Sequence, residues 1–96
     1  MTPIAEITPA ATGAVRTVVG RVGLATKMAK GTVYVLEEGT NRLQLVLWDK
    51  EMAGLDRATL TTGRQVRVTG AIKRYRGKLE IVPRSPQDVR PLADTP

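Results

Sequence analysis

The chain has no cysteine, no histidine and no phenylalanine, and just one tryptophan and two tyrosines in 96 residues. Without Cys there is no disulfide framework and no thiolate metal site. Without His the commonest general base and the commonest metal ligand are both missing. Catalysis is therefore a poor expectation, and neither a cofactor nor a metal is expected. Long apolar runs are missing too. The opening MTPIAEITPA has neither a basic n-region nor an apolar stretch of signal-peptide length, and no segment approaches the length of a membrane span. The expectation is a soluble cytoplasmic protein that works away from membranes. Acidic residues are in deficit, with 15 Lys and Arg against 9 Asp and Glu for a formal charge of +6. On so small a surface that excess favours a polyanionic partner.

What is present is organised around GTVYVLEEGTNRLQLVLW, Gly31 to Trp48. Two alternating, β-branched-rich runs flank a short polar break, the period-2 pattern of a half-buried β-hairpin. A loop of Gly39, Thr40 and Asn41, with Asn41 left-handed, sets Glu38 opposite Arg42, Leu36 opposite Gln44 and Tyr34 opposite Val46. Val33, Val35, Leu43, Leu45 and Leu47 then form a core face, while Tyr34, Gln44, Val46 and Trp48 share the outer one. A shorter loop of Gly39 and Thr40 alone pairs Tyr34 with Leu45 and mixes those sets. Because a one-residue slip turns a whole apolar set to the wrong side, it is set aside.

Around this hairpin the chain falls into order. Residues 1–12, with Pro3, Pro9 and several Ala, read as an extended lead-in in which Pro9 stops any helix. VRTVVGRVGL, from Val15, is a strand interrupted by Gly20 and Gly23, which mark a bulge or bend that lets one strand serve two sheets. ATKMAK, from Ala25, is a loop. After the hairpin, Asp49 offers an N-cap to a short helix with Met52, Leu55 and Leu60 on one face, although Gly54 weakens it. A turn at Thr62 and Gly63 leads to a fourth strand. Tyr75, Arg76 and Gly77 turn the chain, and KLEIV from Lys78 is a fifth strand ended by Pro83. Residues 84–96 are a Pro-rich tail whose last few residues are expected to be disordered. The folded unit spans 13–83. Its element order is that of an all-β, five-stranded Greek-key OB-fold barrel with one short helix between strands three and four, a fold that binds oligonucleotides and oligosaccharides on strands two and three and the flanking loops.

From about Gly13 to Val82 the chain also resembles the single-stranded-DNA-binding OB domains of the replication protein A type and, more distantly, the anticodon-binding OB domains of aminoacyl-tRNA synthetases. The resemblance runs through VVGRV, YVLEEGTNRLQLVLW, GRQVRVTGAI and YRGKLEI. Its most specific pieces are the Leu47 and Trp48 pair before an acidic residue and the aromatic-x-Gly turn at Tyr75 to Gly77. It implies Trp48 and Tyr75 as residues that stack on bases. One departure is Asn41, where the family's turn usually ends in Gly.

The residues themselves point the same way. Binding single strands needs a positive groove for phosphates and aromatic faces for bases. Trp48 falls in the outward phase, Tyr34 beside it, and Gln44 offers an amide to a base edge. KRYRGK, residues 73–78, interleaves Tyr75 with Lys73, Arg74, Arg76 and Lys78 at a strand turn. Lys27 and Lys30 supply the opposite wall. The function expected is single-stranded nucleic acid binding, DNA before RNA, without catalysis. The competing readings are a protein-interaction or assembly subunit with Leu36, Val46 and Trp48 as an apolar patch, and an RNA or tRNA adaptor. No residue here reports on a 2′-hydroxyl.

Overall fold

In the computed structural model, which describes residues 1–92, the first strand, β1 (Val15–Lys27), is long enough to serve two partners. Its first half, Val15 to Arg21, runs antiparallel to β4 (Gln65–Tyr75); its second half runs antiparallel to β2 (Gly31–Glu38) after a register shift between Val22 and Ala25. Gly23 sits in that shift, so the bend expected from its place in the strand is there. β2 continues antiparallel into β3 (Asn41–Trp48). β3 then meets β5 (Lys78–Val82) in parallel through Gln44 opposite Glu80 and Leu45 opposite Ile81, and the β4–β5 hairpin completes the ring. The order β1-β2-β3-β5-β4, with β1 returning to β4, closes a five-stranded OB barrel. A short β6 (Val89–Pro91) lies along β4.

The hairpin register is not the one expected. Glu38 pairs with Asn41, Leu36 with Leu43 and Tyr34 with Leu45, so the loop is Gly39 and Thr40 alone. Gly39 has φ +62°, the left-handed region that a tight two-residue hairpin turn demands at its first position and that only Gly enters freely. Asn41 is an ordinary strand residue instead of the left-handed end of a longer loop. The inward set is therefore Thr32, Tyr34 and Leu36 with Leu43, Leu45 and Leu47, all buried. Val33 and Val35 are half-buried and share the outward face with Gln44, Val46 and Trp48. Tyr34, expected on that outer face, is 8% exposed and belongs to the core cluster. The β4–β5 turn is likewise tighter than expected. Tyr75 and Lys78 still pair, and Arg76 and Gly77, both at positive φ (53° and 78°), make the turn.

The core gathers Val18, Val22, Val66, Val68, Ile72 and Ile81 around the inward face of the hairpin. Residues beyond the barrel strands complete it. The lead-in is not extended: Ile4–Glu6 and Pro9–Ala11 form two short 3-10 turns, with Pro9 at the first helical position, where its missing N–H costs nothing. They carry Ile4 and Ile7 into the core, and the carboxylate of Glu38 accepts a 2.9 Å hydrogen bond from the Ile4 amide. From the other end of the chain, Val89 joins the same core. The short helix between β3 and β4 is a single 3-10 turn, Arg57–Leu60, later than expected and capped by Asp56, whose side chain accepts from the Ala58 amide. Asp49 caps nothing; the chain after it turns through Gly54 at φ +92°, which ends helical geometry there, while Met52 and Leu60 are still buried. The end of the tail, residues 93–96, lies outside the described residues. Among the described residues no helix is long and apolar enough to cross a membrane.

This register can be checked by mutation. Tyr34→Ala should cost about 3 to 5 kcal/mol of stability in urea unfolding, as truncation of a buried aromatic does, whereas Val33→Ala on the outer face should cost distinctly less. The reverse order would restore the longer loop.

Candidate nucleic-acid interface

Strand alternation sends Gln44, Val46 and Trp48 of β3 outward beside Val33 of β2, and these four make the floor of a cleft of about 490 Å³. Thr26 and Met28, at the end of β1 and in the loop after it, form one wall. The β4–β5 turn forms the other with Tyr75, Arg76 and Lys78, and Glu80 lies between wall and floor. Val46 is 2% exposed yet sits outside the core cluster, so β3 is covered on both faces, by the core beneath and by the cleft's own side chains above. Trp48 and Tyr75 are the large aromatics left open, at 40% and 57% exposure. The Arg76 guanidinium lies 5.3 Å from the centre of the Tyr75 ring, a cation–π distance that keeps aromatic face and charge together.

Gly31, directly across from Trp48, fixes the indole. A Cβ at Gly31 would stand 3.1 Å from the indole Cε3 and 2.5 Å from the Leu47 carbonyl oxygen. Only a residue without a side chain lets the ring lie this close to the neighbouring strand.

Of the residues expected at a site, the cleft brings together Trp48, Tyr75, Gln44, Arg76 and Lys78. Lys30 flanks Trp48 in an adjoining depression with Asp49, Lys50 and Glu51. Lys73 lies in another, which Trp48 and Arg84 also line, so the indole stands at the junction of three hollows. Lys27 is drawn off to Asp49, 3.7 Å away, which also holds Arg57 at 3.8 Å. Arg74 faces elsewhere. It has the strand phase of inward-pointing Ile72 and lines a separate hollow beside Ile4 and Leu43. Tyr34 is in the core and takes no part.

Sequence reasoning missed Val33, Val46, Thr26, Met28 and Glu80. Val46 has the phase of Trp48 but in the sequence counts only toward a partner-binding patch, and the longer-loop register puts Val33 in the core. Glu80 carried no signal, being one carboxylate in a short strand. In the structure its cross-strand partners are Lys73 on β4 and Gln44 on β3. Burial pushes the Glu80 carboxyl above its ordinary value, and the charge of Lys73 partly offsets that rise. Among the described residues no three acidic side chains gather as a metal site would require.

A search of curated proteins by sequence finds no match. Among solved structures the chain is similar to asparaginyl-tRNA synthetase from Pyrococcus horikoshii, with a TM-score of 0.75 at 16% identity, over 98% of this chain and 23% of that one. It is similar to a chain of a replication protein A heterotrimer bound to ssDNA, with a TM-score of 0.65 at 26% identity, over 85% of this chain and 59% of that one. It is also similar to an OBody bound to hen egg-white lysozyme, with a TM-score of 0.74 at 20% identity, over 98% of this chain and 94% of that one. The chain thus spans less than two thirds of the synthetase and replication protein chains. The profile of the tRNA anti-codon family, described as an OB-fold nucleic acid binding domain, matches residues 16–89. With the barrel, the cleft and that match across most of its length, the chain belongs to the tRNA anti-codon family of OB-fold nucleic-acid-binding domains.

Proposed function

We propose that this domain binds single-stranded nucleic acid, DNA in preference to RNA, in the cleft between Trp48 and the β4–β5 turn, and performs no chemistry of its own. The observation that carries the reading is the half-exposed indole of Trp48 on the cleft floor, facing Tyr75 across a space rimmed by Arg76 and Lys78. An aromatic platform accepts any base, and the cations meet its phosphates. Gln44, on the floor, offers both donor and acceptor to a base edge. The 26% identity to a chain of a replication protein bound to ssDNA supports DNA, while the family's anticodon-binding name and the synthetase neighbour support RNA.

The second reading, a protein-interaction or assembly subunit, draws on the OBody neighbour bound to lysozyme. Its expected patch does not exist as such, because Leu36 is fully buried in the core and Val46 nearly so. Trp48 alone of the three is open.

Trp48 is the only tryptophan and reports on its own site. Titration with a single-stranded oligonucleotide should quench its fluorescence, and Trp48→Ala should weaken binding by about 1 to 3 kcal/mol while the domain stays folded. Duplex DNA binding as tightly as single strands would mean a general phosphate patch with an idle platform, and a partner protein quenching the indole where no oligonucleotide does would favour the second reading.

Salt provides an independent check. Lys30, Lys73, Arg76 and Lys78 surround Trp48 and Tyr75. Four phosphate contacts on a single strand correspond to a log-log slope of affinity against salt near about −3. A flat dependence would remove the electrostatic part of the proposal.

Glu80 gives the cleft a pH dependence with a defined sign. Its raised pKa means the carboxylate takes up its proton, within the acid range, at a higher pH than an ordinary carboxylate does, and the neutral form no longer repels phosphate. Affinity for oligothymidylate, whose bases do not titrate there, should rise as pH falls through that range. Glu80→Gln should bind more tightly at neutral pH and lose this part of the rise, as measured by anisotropy titrations of both proteins across the acid range.

A further inference from the structure

The hollow that receives Arg74 has no role in the reading above. It measures about 480 Å³ and adjoins the first cleft, for Gln44 and Lys78 line both. Its apolar floor is assembled from distant parts of the chain, with Ile4 and Ile7 of the lead-in set beside Leu43 and Leu79. Its charged lining is entirely cationic, made of Arg42, Arg74 and Lys78, with no Asp or Glu among the lining residues. Arg42 is held 3.6 Å from Glu37 on the neighbouring strand, and among the described residues no carboxylate lies within ion-pairing reach of Arg74 or Lys78. Arg74 comes to lie here because β4 outruns the barrel. At Ile72 the inward side is packed core, whereas two residues further on the same side of the strand opens to solvent.

An apolar floor with cations and no carboxylate in its lining fits a flat base with a phosphate beside it. Resting on the single-strand reading of the first cleft, we propose that this hollow is a second nucleotide subsite, filled by the continuation of the same strand. The chain of nucleotides that lies over Trp48 and Tyr75 passes between Gln44 and Lys78. The next base then rests against the half-buried Leu79, above the buried Ile4 and Leu43, and its phosphate sits beside Arg74, with Arg42 joining by exchanging Glu37 for phosphate. Arginine's planar fork suits this task, since it takes two phosphate oxygens at once. The occupant is thus a longer single strand and not a separate ligand, because the two hollows share a wall and carry the same sign of charge.

The test compares two oligothymidylates, about four and about eight nucleotides long, both within the span that one barrel of this kind covers. The protein should bind the longer one about ten-fold more tightly after allowance for the extra binding registers, the gain expected of one added charge-assisted contact. The double variant Arg42→Gln and Arg74→Gln, both replaced at exposed positions, should lose that gain while its affinity for the shorter oligomer and the quenching of Trp48 stay as they were. A variant that keeps the length-dependent gain, or one that loses equally on both oligomers, overturns the second subsite and leaves the first cleft standing. A parent protein whose indole responds to neither oligomer overturns the first cleft, and this subsite with it.

Discussion

The turn at Gly39 and Thr40 decides what the two faces of the hairpin are for. With two residues in the loop, Tyr34 and Leu36 pair with Leu45 and Leu43, and every large inward side chain of β2 and β3 lands in the core. One more residue in the turn would exchange the faces, because side chains alternate with period two. Tyr34 and Leu36 would then be bared, and Val33 and Val35 would be packed inside. The left-handed conformation at Gly39 is therefore the constraint on which both the core and the cleft depend. It settles at once which residues are packing and which are floor.

Much of the fold was legible before the structure. The glycine break at Gly23 in β1, the two hairpins and the closing Pro83 lie where the sequence places them, and the aromatic-x-Gly turn is there too, one residue tighter than expected. The register was not legible, and for a physical reason. Alternation identifies the core only where one face is polar, and here both faces of β2 and β3 carry aliphatic residues. The valines of the outer face look like core because they are themselves half-buried or, for Val46, almost fully buried. The lead-in was misread for a related reason. A stretch holding Pro3 and Pro9 scores poorly as regular structure, yet its Ile4 and Ile7 find room in the core that the barrel leaves open.

Charge was a coarser guide than phase. The excess of cations pointed to a polyanionic partner, but it could not say which cations share a surface. Lys27 is matched by Asp49 and Arg42 by Glu37, and such exposed pairs contribute little to stability while they subtract from the field around them. Lys73, Arg74 and Tyr75 follow one another in sequence and diverge in space. Lys73 and Tyr75 face outward to the hollows that Trp48 lines, whereas Arg74 turns to the adjoining hollow on the other side of β4. A run of basic residues on a strand thus alternates between its two sides, and in KRYRGK Lys73 and Arg74 part in that way while Lys78 lines both hollows.

The same geometry explains how a domain with so few aromatics can leave its tryptophan partly open. In a small barrel an indole is usually worth most when buried, since it carries more apolar area than any other side chain. Here the core is already filled by aliphatic side chains and Tyr34, with Val18, Leu36, Leu45, Val66, Val68, Ile72 and Ile81 sealed from solvent. Trp48 rests instead on a strand that is covered on both faces, against Gly31 where no Cβ intervenes. Its position is set by the Gly31 backbone beside it, so on the proposed reading a stacking base would meet a ring already in place. Rigidity of that kind reduces what binding must spend on ordering side chains. It also leaves the indole removable without a cavity in the core, and this separates loss of binding from loss of fold when Trp48 is replaced.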